Sequence, residues 1–206
     1  MSKLLRSITM VLLLPTIAII ALALDASAAQ RKRNSYRISL VHAAGGPVRA
    51  VLPAGMPATL NVRSTPELTP DSQARIAWHF RNAALQAARF AEKRGLSVVR
   101  ETLPTRLEIF SSTRELSAMT YMPEQEYGCK VVARINLSRG MVMLGRKSPE
   151  DLYVELGKWY FYPVGYRWGQ NRSRDMSMLK RAESFASFCL DKKNWIEADG
   201  STKGIW

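Results

Sequence analysis

The stretch TPDSQARIAWHFRNAALQAARFAEKRG, residues 69–95, carries most of the fold reading. Thr69 has the side chain of an N-cap, and Pro70 stands at the first helical position, where a missing N–H leaves nothing unsatisfied. Gly95 can end a helix because it takes a left-handed backbone without a Cβ clash. Between these signals Ile76, Phe80, Ala83, Ala84, Ala87 and Ala91 recur at helical spacing, which predicts a helix from Pro70 to Arg94 with one apolar stripe. Its many alanines favour close packing on a sheet. Arg81, Arg89 and Glu92 lie opposite, and Trp78 and Leu85 on that side call for a second contact. His79 flanks the stripe and reads as a core or surface histidine rather than a ligand.

Working outward, Tyr36–His42 alternates as a strand, Val48–Leu52 reads as a second short strand and Thr59–Arg63 as a third. They form either a small N-terminal sheet or an extension of the main one. Downstream, Arg106–Ser111 reads as a strand, and Thr113 is placed as the cap of a short helix over 114–121. Lys130–Leu137 and Met141–Leu144 form a hairpin across Ser138-Arg139-Gly140. Ser148, with Asp151 three residues on, opens a helix that ends before Pro163. A polar, aromatic loop follows over Gly165–Arg174, and Asp175 caps a last helix reaching about Lys193. Clustered strands followed by consecutive helices define an α+β fold: a small mixed sheet, a long N-terminal helix packed on it, and two consecutive C-terminal helices.

Residues 1–29 read as a signal peptide: Lys3 and Arg6, an apolar run from Ile8 to Leu24, then Asp25-Ala26-Ser27-Ala28-Ala29 with an Ala-x-Ala cleavage site. A retained membrane anchor is the alternative, disfavoured by Pro15 and by a run at the short edge of spanning length. Residues 30–68 hold the N-terminal strands and linker, 69–194 the main domain, and 195–206 a flexible tail. The expected location is secreted or periplasmic, with membrane contact only through an uncleaved leader. Cleavage takes 30 basic and 17 acidic residues to 28 and 16, a net charge of +12. That charge favours an anionic envelope component or partner protein, and export argues against nucleic acid as the physiological partner. In an oxidising compartment Cys129 and Cys189 are expected to pair as a disulfide.

The order of elements, with Val154-Glu155-Leu156-Gly157-Lys158 on the penultimate helix and Ala182-Glu183-Ser184-Phe185-Ala186 on the last, resembles the catalytic half of gluzincin metallopeptidases. In that family a helix bears His-Glu-x-x-His and a following helix supplies a Glu in a Glu-x-x-Ala segment. The resemblance covers Thr69 to Lys193 and implies a peptidase-like fold. It places Glu155 at the position of the catalytic base and Glu183 at that of the third ligand. Val154 and Lys158 stand where both histidines would be. Val154 has no donor atom and Lys158 brings positive charge where a cation would sit, so the resemblance implies a pseudoenzyme with vestigial Glu155 and Glu183, no metal and no cofactor.

Other catalytic patterns are poorly served. His42 and His79 are the only histidines for a triad, and no Gly-x-Ser-x-Gly elbow or Gly-rich phosphate loop occurs. Carboxylate pairs for glycoside hydrolysis have no local signature, which leaves Glu108, Glu155 and Glu183 as candidates. The run Trp159-Tyr160-Phe161-Tyr162 is helical, with Trp159 and Tyr162 assigned to the interior. Tyr166, Arg167 and Trp168, with Arg172 and Arg174, are the expected binding residues, since aromatic faces and guanidinium groups together hold rings and anions. The expectation is an exported, non-catalytic binding protein with a peptidase-like fold. The alternative is an exported hydrolase of cell-wall polymer or peptide using unidentified carboxylates.

Overall fold

The computed structural model describes residues 33–41, 56–120, 125–126, 129–145 and 148–195. The expected leader, the expected strand Val48–Leu52, His42 and residues 196–206 lie outside the described residues. In chain order the elements are β1 (Asn34–Ser39), β2 (Thr59–Ser64), α1 (Pro70–Arg94), β3 (Arg106–Ile109), α2 (Thr113–Thr120), β4 (Gln125–Glu126), β5 (Cys129–Lys130), β6 (Ala133–Asn136), β7 (Met141–Leu144), α3 (Pro149–Phe161) and α4 (Arg172–Leu190), followed by a 3-10 turn over Lys192–Asn194. The α+β fold with two C-terminal helices is as expected.

The main sheet runs β1-β2-β3-β7-β6, and β4 and β5 form a separate two-stranded ribbon. β1 pairs antiparallel with β2, the pairs β2/β3 and β3/β7 are parallel, and β6 returns antiparallel to β7. The N-terminal strands therefore extend the main sheet. Parallel pairing of β2 and β3 needs a long crossover, and α1 supplies it. Thr69 Oγ1 accepts from Ser72 N–H at 3.2 Å, and Gly95 ends the helix at φ 61°.

Leu60, Val62, Leu107, Ile109, Val142 and Leu144 alternate onto the helix side of the sheet, where Ile76, Phe80 and Phe90 of α1, Leu152 and Leu156 of α3 and Phe185 of α4 meet them. α3 packs on β6 and β7 and against both α1 and α4. Trp159, Tyr160, Phe161 and Tyr162 are all buried, because the C-terminal turn of α3 is covered on several sides and leaves the other two aromatics no exposed face; only a stripe through Glu150, Asp151, Val154 and Lys158 reaches solvent. Gly157 is where α4 comes closest: a Cβ there would lie 2.9 Å from Ala182 Cα and 3.0 Å from its carbonyl oxygen. The second contact expected on α1 is also present. Trp78 is buried against Trp195, ring centroids 5.2 Å apart. Trp195, the first residue of the expected flexible tail, is thus packed, and its Nε1–H donates to Cys189 O at 2.9 Å.

Three capping assignments are corrected. Ser112 Oγ, not Thr113, accepts the α2 cap bond, from Glu115 N–H at 3.2 Å. Ser148 precedes α3 but makes no side-chain cap bond. Asn171 caps α4, accepting from Arg174 N–H at 3.0 Å, while Asp175 sits buried in the first turn with partners in the preceding loop. Of the two cysteines expected to pair, Cys189 is described and is a free, buried thiol. It packs in the core on the helix side of the sheet. The side chain of Cys129 lies outside the described residues. Among the described residues no helix is long and apolar enough to cross a membrane.

Candidate binding cleft

A cleft of about 670 Å³ separates the edge strand β6 from α3. Residues 133–138 form one wall, Glu155, Lys158 and Tyr162 the floor, and Tyr166, Arg167 and Trp168 the far wall, with Arg100 contributing beside them. Val164, at the lip, is 80 % exposed.

The strand wall is an open sheet edge. Gly145 N–H donates to Val132 O at 2.9 Å, and Arg134 and Asn136 stand opposite Met143 and Met141. Antiparallel residues alternate between bonding the partner and pointing away. The N–H and C=O groups of Ala133 and Ile135 are therefore directed away from β7, at an edge with which no strand among the described residues pairs.

The floor is an ion pair. Lys158 Nζ donates to Glu155 Oε1 at 2.7 Å, with Glu155 only 3 % exposed and its Oε2 without a partner among the described residues. Tyr162 is fixed at the end of α3, where Arg100 Nη1 donates to the carbonyls of Trp159 and Tyr162, each at 2.8 Å. These bonds satisfy carbonyls that the helix itself leaves open. Burial first, then the charges of Glu155, Tyr166, Asp175 and Glu183, push the Tyr162 hydroxyl well above its ordinary pKa.

The loop wall is anchored by the buried Asp175, which accepts from the Tyr166 hydroxyl and, at 2.9 Å, from Gly169 N–H. The Tyr166 ring packs on Tyr162 at 4.8 Å between centroids, and the Arg174 guanidinium lies 5.5 Å from the Tyr166 centroid. Arg167 is exposed at the wall.

Of the residues expected from sequence, Glu155, Tyr166, Arg167 and Trp168 come together in this cleft. Arg174 supports Tyr166 from outside, and Arg172 is exposed on the first turn of α4 without lining the cleft. Glu183 is exposed on α4, near enough to act on the Tyr162 hydroxyl but not part of the lining. Glu108 lies on the other face of the sheet, bonded to Arg33. His79 is a core residue, its Nδ1 2.8 Å from the Tyr153 hydroxyl. Arg100 and the open edge of β6 carry no local sequence signal, because the loop over 96–105 has no pattern and the edge position follows only from strand order.

The residues do not fit a gluzincin zinc. Val154 offers only carbon, and the Lys158 ammonium is bonded to Glu155. Among the described residues no group of three or more His, Cys, Asp or Glu side chains is placed to hold a metal. No family model, curated protein or solved structure matches the chain.

Proposed function

We propose that this chain is an exported, non-hydrolytic binding protein on a peptidase-like fold, and that its cleft takes an extended acidic segment of a partner protein. One observation carries the reading: the open edge of β6 borders a groove that also presents Arg100 and Arg167 beside Tyr166 and Trp168. An extended chain added to a sheet edge gains main-chain hydrogen bonds, and side-chain pockets select its sequence. The cationic wall selects carboxylates, and the aromatic rings cover apolar residues between them. Among the described residues of the lining Glu155 is the only acid, and it is already neutralised by Lys158. The leader over residues 1–29 supports export. The missing imidazoles support binding without hydrolysis, since a lysine ammonium repels the cation that the chemistry requires.

The test is fluorescence anisotropy with a labelled peptide alternating Glu and apolar residues. Arg167→Ala with Trp168→Ala is expected to weaken binding about tenfold, the scale of one lost charge-assisted contact plus ring packing. Ala133→Pro removes an outward N–H from an edge strand, where proline is tolerated, and is expected to weaken binding a few-fold. Unchanged affinity in both variants refutes the reading.

A further inference from the structure

We propose a second site, for phosphate-bearing anions, on the sheet face turned away from the helices. Because Val62, Leu107 and Val142 face the helices, their strand neighbours face the other way. Strand register aligns Ser35, Arg63, Glu108, Met143 and Arg134 in one row across the sheet. The next row is Arg37, Asn61, Arg106, Met141 and Asn136. A cavity of about 690 Å³ on this face is lined by Arg33, Arg63, Arg134 and Arg139, with Met119, Met141 and Met143 beside them. Among the described residues of these rows and this lining, Glu108 is the only carboxylate.

That carboxylate is already used. Arg33 Nη1 donates to Glu108 Oε2 at 3.0 Å, the two side chains being 10 % and 15 % exposed. The same guanidinium lies 4.5 Å from the Phe110 centroid, and its Nε and Nη2 have no partner among the described residues. A clamped, nine-tenths-buried guanidinium with unpartnered donors beside three more arginines matches a tetrahedral oxyanion, which guanidinium forks bind in bidentate fashion. Neighbouring strands lie about 4.8 Å apart, so Arg63 on β2 and Arg134 on β6, three strand spacings apart, are rooted roughly 14 Å from each other. That spacing suits a ligand with more than one anionic group. Repulsion among these arginines falls when such a ligand binds.

The shared chemistry is a phosphoryl group, free or on a lipid headgroup. Calorimetric titration with inorganic pyrophosphate tests the first source. Flotation with phosphatidylglycerol vesicles against phosphatidylcholine vesicles tests the second. Binding to pyrophosphate or to the anionic vesicles is expected, weakening with salt. Arg63→Gln and Arg139→Gln, neither of which lines the β6–α3 cleft, are each expected to cost about tenfold. Arg167→Ala with Trp168→Ala, which disables the cleft, is expected to leave this binding unchanged. Capture on the anionic vesicles without pyrophosphate binding assigns the lipid source, and pyrophosphate binding without capture assigns the soluble one. Failure of both probes at about 1 mM, or equal binding in the arginine variants, overturns the proposal.

Discussion

Acidification from pH 7 to pH 5 should destabilise this protein through His79. The ring is 1 % exposed, its Nδ1 is bonded to Tyr153, and its Nε2 has no partner among the described residues. Burial, and then the charge of Arg75, lower its pKa from 6.5 to about 4. In the unfolded chain the imidazole takes its proton near the ordinary value of about 6.5. Between those two values the unfolded state holds the extra proton, so stability rises with pH there. The contribution is complete above the unfolded pKa and is lost as pH falls toward the folded one. The full window corresponds to about 3 kcal/mol, and the step from pH 7 to pH 5 to about 2 kcal/mol. Urea unfolding of the wild type and of His79→Gln at both pH values isolates this group, because carboxylates and His42 contribute to both proteins alike. The wild type should lose about 2 kcal/mol more than the variant on acidification. Equal losses would show that the folded imidazole titrates normally and would refute the argument.

Two further outcomes follow from packing. Gly157→Ala pushes a Cβ against Ala182 backbone at 2.9 Å. Overpacking of about 1–3 kcal/mol outweighs the helix-propensity gain of up to about 1 kcal/mol, so the urea midpoint should fall, and an unchanged midpoint would contradict the close α3–α4 crossing. Cys189 should resist maleimide in the folded protein and react in unfolded, unreduced protein, read by peptide mapping. Burial both excludes the reagent and raises the thiol pKa. Labelling that appears only after reduction would contradict a free thiol.

α1 was legible to the residue, because its cap, its stripe and its terminal glycine are all local signals. The same logic failed at Asp175, whose carboxylate turns back to Tyr166 and Gly169 instead of capping α4. It also undercounted the buried aromatics of α3, since periodicity assumes a broad wet face and that of α3 is only the narrow stripe of Glu150, Asp151, Val154 and Lys158. In the cleft, Tyr166, Arg167 and Trp168 were visible as neighbours in sequence. Arg100 and the edge of β6 were not: Arg100 sits in an unpatterned loop that reaches the end of α3, and strand order alone puts β6 at the edge. Likewise Arg63 and Arg134 each look like an ordinary outward residue of an alternating strand. They become one charged face only when β2 and β6 share a sheet.

On the proposed reading the cleft holds an acidic strand and leaves it intact. The decisive measurement is to incubate the full chain with the Glu-rich peptide, with and without added zinc, and to analyse the peptide by mass spectrometry after measuring its binding. Saturable binding and quantitative recovery of uncut peptide are expected in both conditions. Cleavage that depends on zinc and disappears in Glu155→Gln would contradict that reading.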